Sequence, residues 1–268
     1  MSKQVAVIAE GSKTEKKYWN SMCRLFFHED PAVFIMLPTS GNLYMLWKQL
    51  TEDGNYTDIL EIVRERTKVG KEALSGKTRD DFAEIYLFFD YDPHQNNLGE
   101  KDEAPEVVLQ KMTDTFNNET EQGKLYISYP MCEALRDIKD MSCIPFTDCY
   151  LSAEQIGKYK DKTGKPNKYS NIGDFTIETW EMMIWIFLKR CMCLFDIEYE
   201  PSTAIKWFKK NITPRIIFDK EQTLFNTKEQ VFVLSAFPEF LLDYYPAERF
   251  AIDEKSKIGD HGCIYKQN

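Results

Sequence analysis

The sequence predicts an α/β fold, with a mostly parallel sheet flanked by helices and a helical C-terminal part. Short apolar runs rich in branched and aromatic side chains alternate with amphipathic segments through the first half of the chain, as in βαβ units. The second half begins with a polar, lysine-rich stretch and continues with longer amphipathic segments. We therefore expect an α/β domain over residues 1–145 and a mainly helical region over residues 146–268.

The apolar runs each end at a turn or a helix breaker, which indicates buried strands of ordinary length. The predicted strands are residues 5–9, 32–37, 84–89 and 124–129. Spacings of three and four between apolar residues predict helices at 12–27, 43–50, 59–69, 105–116, 131–141 and 177–195. Further helical segments are expected around 231–234 and 238–244, with an exposed connection over 70–81.

Composition excludes several classes of protein. The chain has 268 residues, with 34 basic and 43 acidic side chains and a net charge of −9, so its overall field does not attract nucleic acid. Seven cysteines without a Cys-x-x-Cys pair, and only three histidines, argue against a disulfide framework and a structural zinc site. The apolar run near the N-terminus is too short for a signal peptide, and no later run is long enough to span a bilayer. We expect a soluble, cytoplasmic protein with no membrane partner.

Acidic residues follow three of the four predicted strands. Glu10 comes directly after the first strand, Asp90 and Asp92 follow the third, and Glu133 opens the helix after the fourth. Because the carboxyl ends of parallel strands meet at one edge of a sheet, these carboxylates are expected to converge there. Converging carboxylates repel one another unless a cation lies between them, and hard oxygen ligands suit Mg²⁺ or Mn²⁺. Each acidic residue alone has a simpler interpretation, as part of a turn or a helix cap.

Taken together, these segments resemble a known family. VAVIAEGSKTEKKYW, IYLFFDYDPH and LYISYPMCEAL are similar to the TOPRIM domain of topoisomerases, primases and related nucleases, with Glu-Gly after the first strand and Asp-x-Asp after the third. The EGSKTEKKY opening and the Pro-x-x-Glu after the last strand resemble small TOPRIM proteins of bacterial anti-phage systems. Several of those pair with an ABC- or OLD-type ATPase. The resemblance covers about residues 4–140.

The resemblance implies roles for the acidic residues and an activity. Glu10 would act as general acid or base and lie close enough to share the cation, Asp90 and Asp92 would hold the divalent metal, and Glu133 would be a further acidic ligand. The implied activity is that of a Mg²⁺-dependent nuclease that cleaves DNA or RNA, tRNA included, as an anti-phage effector with a partner ATPase.

Two other functions remain open from the sequence. The first is a non-catalytic TOPRIM-like module that binds an ATPase or nucleic acid; the acidic net charge favours it, and the intact set of acidic residues disfavours it. The second is a different α/β phosphotransferase or phosphatase in which Asp90 is the nucleophile, which predicts a covalent phospho-aspartate.

Contact with nucleic acid is expected from local lysines. Residues 158–168 contain five lysines and one aspartate, a positive segment that suits backbone phosphates; a solvated loop is the alternative. Lys13 and Lys17 of the first helix could also contact phosphate, and a solvated helix face is the alternative. The predicted nucleic-acid contacts are Lys13, Lys17, Lys158, Lys160, Lys162, Lys165 and Lys168. Trp180, Trp185 and Phe187 are interpreted as core or as the interface of a homodimer rather than as a base-stacking platform.

Overall fold

A mostly parallel sheet forms the centre of the molecule. The computed structural model describes residues 4–11, 13–27, 34–39, 41–52, 58–91, 103–138, 149–163 and 168–250. The strands of this sheet are β1 (Gln4–Ala9), β2 (Phe34–Pro38), β3 (Phe82–Asp90), β4 (Asn117–Asn118) and β5 (Gly123–Ser128). They are ordered β2-β1-β3-β5-β4, and every ladder is parallel except the short one between β4 and β5. The predicted α/β class with a mostly parallel sheet is confirmed.

Helices connect the strands and continue after them. The helices of the first half are α1 (Thr14–Phe26), α2 (Leu43–Thr51), α3 (Ile59–Arg66), α4 (Lys68–Ala73) and α5 (Pro105–Thr115). Those of the second half are α6 (Ala153–Gly157), α7 (Tyr159–Thr163), α8 (Ile177–Leu194), α9 (Pro201–Asn211), α10 (Pro214–Lys228) and α11 (Ala236–Tyr244). A second, two-stranded sheet pairs β6 (Tyr150–Ser152) with β7 (Gln230–Phe232) in antiparallel orientation.

One face of the main sheet is covered by α1 together with α11, so the C-terminal part shares the core of the α/β part. The ring of Phe88 in β3 stacks on Phe237 of α11 at 5.0 Å between centroids, and Tyr86 meets Phe240 edge-on at 4.9 Å. Trp19 of α1 packs against two of these rings, with centroids 5.9 Å from Phe88 and 5.7 Å from Phe240. The proposed division near residue 145 falls within residues 139–148, which lie outside the described residues, and it stays a prediction.

The predicted helix over 59–69 is two helices, and the connection over 70–81 is partly helical. Thr67 adopts an extended conformation that ends α3, and its hydroxyl accepts a hydrogen bond from the Gly70 N–H at 2.8 Å. This N-cap starts α4, which runs to Ala73. The chain also forms short 3₁₀ turns. One, Arg79–Asp81, precedes β3, and another, Cys132–Arg136, follows β5.

The predicted helix over 131–141 is the second of these short 3₁₀ turns. The Cys132 N–H is bound by the Asp90 carboxylate, and the Asp137 N–H bonds the Ala134 carbonyl three residues back rather than four. The turn is therefore organised by a contact with β3, and residues 139–141 of the prediction lie outside the described residues.

The predicted helical segment at 231–234 is wrong, because these residues begin in strand β7. Glu229 adopts a left-handed conformation with φ of 54°, which ends α10, and Val231 then pairs with Leu151. Helices α9 and α10 were not expected, although each begins with a proline in its first turn, a common helix start.

The longest helix, α8, was expected, and its Trp180 and Phe187 are buried in the core. Among the described residues, no helix combines the length and apolarity needed to cross a membrane.

Candidate metal and phosphate site

Glu10 and Asp90 lie side by side at the carboxyl edge of the sheet. Parallel pairing of Ala9 with Phe88 brings the end of β1 level with the end of β3. The Glu10 N–H donates to the Phe88 carbonyl at 3.1 Å, and the Glu10 carboxylate accepts from the Asp90 N–H at 3.3 Å. The Glu10 side chain therefore reaches across from one strand end to the next.

Glu133 reaches the same place from the turn after β5. Asp90 Oδ1 accepts a hydrogen bond from the Cys132 N–H at 2.8 Å, which ties that turn to the end of β3. Ligand atoms of Asp90, Cys132 and Glu133 all lie within 4.8 Å of one another. The structure thus brings together Glu10, Asp90 and Glu133 of the predicted acidic set, while Asp92 lies outside the described residues.

Glu15 is an acidic residue of the site to which sequence reasoning gave no role. It lies in the first turn of α1, is 8% exposed, and its Oε1 accepts the Gly11 N–H at 2.9 Å. A Cβ at position 11 would lie only 2.5 Å from Glu15 Oε1, so a glycine is needed for this close approach. The signal was present in the sequence, as the second glutamate of the EGSKTE opening, but its burial depends on the turn that precedes it.

Two more side chains at this site were not expected. Cys132 is buried, and its Sγ lies 3.3 Å from Glu133 Oε2. Arg136 places its guanidinium 3.8 Å from Glu133 Oε1 and supplies positive charge next to the carboxylates. Sequence spacing did not identify either residue, because the 3₁₀ turn, and not a helix, brings both side chains next to Glu133.

The crowding of carboxylates has an electrostatic consequence at Asp90. Burial raises the pKa of the Asp90 carboxyl well above its ordinary value, and the charges of Glu10, Glu15 and Glu133 raise it further. The hydrogen bond from the Cys132 N–H acts in the opposite direction and is the weaker influence. Burial, followed by the charge of Asp90, likewise raises the pKa of the Cys132 thiol. A divalent cation among these groups would offset this repulsion.

These side chains line an open pocket of about 500 Å³. Its floor is acidic, whereas Lys13 at the start of α1 and Lys160 of α7 stand on its walls. Lys17, Lys158, Lys162 and Lys168 are exposed outside this lining, and Lys165 lies outside the described residues. Lys158 is also paired with Glu154 at 3.1 Å. Of the six predicted lysines that the structure describes, Lys13 and Lys160 therefore lie at the pocket.

The donor set fits a hard divalent cation. The carboxylate oxygens of Asp90 and Glu133 are of the kind that Mg²⁺ and Mn²⁺ prefer, and the Glu10 carboxylate lies beside them, bound to the Asp90 N–H. The Glu10 and Asp90 carboxylates each accept a backbone N–H, which fixes the positions of these two groups before an ion binds.

Comparison with known proteins adds no assignment to this geometry: no protein-family model, no curated protein and no solved structure matches the chain.

Proposed function

We propose that this protein is a TOPRIM-type, Mg²⁺-dependent nuclease that cleaves phosphodiester bonds of DNA or RNA. The observation that carries the proposal is the pocket itself, in which carboxylates from three neighbouring strand ends form the floor and two lysines stand on the walls. An acidic floor suits a cation and basic walls suit a phosphate, so the pocket combines the two halves of a phosphodiester site.

Each side chain of the pocket has a proposed role that follows from its position. Asp90 and Glu133 would hold the cation, which supplies Lewis-acid charge next to a phosphate oxygen when it is bound. Glu10, whose carboxylate also fixes the Asp90 backbone, would take or give the proton of the attacking water or the leaving oxygen. Lys13 and Lys160 would bind the phosphates on either side of the scissile bond. Lys17 and the exposed lysines of 158–168 would extend this contact along the strand.

An anti-phage role beside an ABC- or OLD-type ATPase belongs to the same proposal and rests on the resemblance of the opening motif. We also propose that the protein assembles as a homodimer. Trp185 of α8 is partly buried against the core, which leaves part of its ring for such an interface.

The proposal is tested with the purified full chain incubated with plasmid DNA, single-stranded DNA or tRNA, with Mg²⁺, Mn²⁺ or a chelator. Glu10→Gln keeps an acceptor for the Asp90 N–H but loses the proton-transfer group, and should slow cleavage by about 10²–10⁴-fold. The matched control is Glu121→Gln, an exposed residue that precedes β5 at the opposite edge of the sheet and should cleave as the wild type does.

The alternatives give different results in the same experiment. Metal-independent binding of nucleic acid without cleavage would replace the nuclease by a non-catalytic module. Hydrolysis of small phosphoesters, with phosphate attached to Asp90 in the trapped protein, would replace it by a phosphatase.

A further inference from the structure

A thiol lies inside the carboxylate cluster, and the metal chemistry proposed above does not use it. Cys132 is 5% exposed, its Sγ is 3.3 Å from Glu133 Oε2, and its N–H is held by Asp90. Mg²⁺ takes oxygen ligands, whereas thiolates select softer ions such as Zn²⁺ and Cd²⁺. The cluster therefore offers two ligand sets, one of oxygens alone and one that includes sulfur.

The spacing of these atoms suits the second set. With metal–sulfur bonds of about 2.3 Å and metal–oxygen bonds of about 2.1 Å, tetrahedral ligand atoms lie about 3.4–3.6 Å apart. The Sγ–Oε2 distance is already 3.3 Å, and the widest separation among the three ligand atoms is no more than 4.8 Å. Rotation of one carboxylate is enough to close a difference of about an ångström.

A second feature is a buried polar group of α1, the helix that also carries Glu15. Tyr18 of α1 is fully buried, and within the described part of the chain its hydroxyl has no hydrogen-bond partner. Burial raises the pKa of this hydroxyl most, the charges of Cys132, Glu133 and Glu15 raise it further and Arg136 lowers it, as expected for a buried group close to this cluster. Ligating carboxylates and thiolates in metal sites are usually oriented by such a donor.

We propose that Asp90, Cys132 and Glu133 form a site for a thiophilic divalent cation of the Zn²⁺ class, with Tyr18 as the donor that orients the ligands. Binding breaks the Cys132 S–H bond, forms a sulfur–metal bond and releases the proton to solvent. Because Asp90 and Glu133 serve both ligand sets, this ion excludes Mg²⁺ from the pocket. The regulatory consequence, a nuclease held inactive by Zn²⁺, rests on the proposed function, whereas the metal site does not.

The test uses Cd²⁺ as the probe, because a cadmium–thiolate bond gives a charge-transfer band in the ultraviolet. The metal-free, reduced full chain is titrated with Cd²⁺ in a spectrophotometer and in a calorimeter, with no nucleic acid present. Cys132→Ser keeps the backbone donor to Asp90 and removes the sulfur; Cys132→Ala is the second variant, and thermal unfolding of both shows that they fold. Cys23→Ser, a partly buried cysteine of α1 outside the cluster, is the matched control.

The expected result is a band from the first equivalent of Cd²⁺ in the wild type and in Cys23→Ser, absent from both Cys132 variants, whose Cd²⁺ affinity falls at least about tenfold. Added Mg²⁺ should weaken Cd²⁺ binding to the wild type. A band that persists in the folded Cys132 variants, or that disappears in Cys23→Ser, overturns the site, and Cd²⁺ binding indifferent to Mg²⁺ overturns the exclusion. If the band behaves as expected but Mg²⁺ supports no cleavage, the nuclease proposal fails and the thiophilic site stands.

Discussion

Replacing Asp90 by Asn separates the electrostatic role of this residue from its structural one. Asp90 Oδ1 accepts the Cys132 N–H at 2.8 Å, and an asparagine oxygen can accept the same bond. The substitution therefore removes a negative charge while keeping the turn after β5 in place. Asp90→Ala is a poorer choice, since a buried N–H left without an acceptor costs about 1–3 kcal/mol.

The metal-free variant should be more stable than the metal-free wild type. Because the pKa of Asp90 is raised in the folded protein, the fold binds a proton more tightly than the unfolded chain does. The stability that this group contributes is complete below its unfolded pKa, about 3.9, and is lost as the pH rises toward the folded pKa. Asn carries no charge at any pH, so it escapes this loss at neutral pH.

With Mg²⁺ only the wild type should gain stability. A cation at 100 times its dissociation constant stabilises the folded protein by about 2.7 kcal/mol, which for a chain of this size raises the melting temperature by about 5–11 °C. Asp90→Asn should lose this increase, and its cleavage rate should fall by about 10³-fold or more, since a bound ion contributes several kcal/mol to the barrier.

Thermal unfolding with and without Mg²⁺, followed by a cleavage assay, measures both effects. Asp80→Asn is the matched control, because Asp80 is exposed and precedes β3 at the opposite edge of the sheet. A variant that Mg²⁺ still stabilises as it does the wild type, or that still cleaves, would remove Asp90 from the site. A variant that unfolds at room temperature would assign Asp90 a structural role only.

Three further substitutions address other parts of the molecule. Glu15→Gln keeps an acceptor for the Gly11 N–H but removes the charge. It should weaken Mg²⁺ binding about tenfold in calorimetry and leave the melting temperature nearly unchanged. Unchanged affinity would mean that Glu15 only accepts the hydrogen bond of the turn. Lys160→Gln should lower the affinity for nucleic acid and reduce the slope of log affinity against log salt concentration by about one. The control Lys210→Gln, at an exposed lysine, should change neither. Equal slopes for the two variants would show that Lys160 does not contact phosphate. Glu239→Gln should raise the free energy of unfolding in denaturant melts, because burial raises the pKa of Glu239. The difference from the wild type should grow with pH above about pH 4.3, at up to about 1.4 kcal/mol per pH unit. A pH-independent difference would contradict this.

Four strands of the main sheet and most helices of the first half followed from local pattern. The apolar runs of β1, β3 and β5 are buried on both faces, so their continuous hydrophobicity identifies them without knowledge of their neighbours. Helix α5 begins with a proline in its first turn, a signal readable from the sequence alone. The edge at which Glu10 and Asp90 would appear followed from strand direction, because parallel strands end on the same side.

Local pattern was insufficient where a distant partner decides the conformation. Val231 pairs with Leu151, eighty positions earlier, and only that pairing makes its segment a strand. The turn at Cys132 is tied to the sheet by Asp90, which lies 42 positions earlier and accepts its first N–H. A short apolar segment has similar periodicity in a helix and in a strand, so the partner determines the outcome.

The sequence by itself therefore determined the fold class, the strands β1, β2, β3 and β5, and the presence of acidic residues at three strand ends. The tertiary structure decided which of them share a pocket. Pairing of Ala9 with Phe88 and of Asp90 with Ser128 sets the three strand ends level, and the hydrogen bond from Gly11 turns Glu15 inward. Register and burial are properties of paired elements, and a one-residue slip in either ladder would send these carboxylates to opposite faces of the sheet.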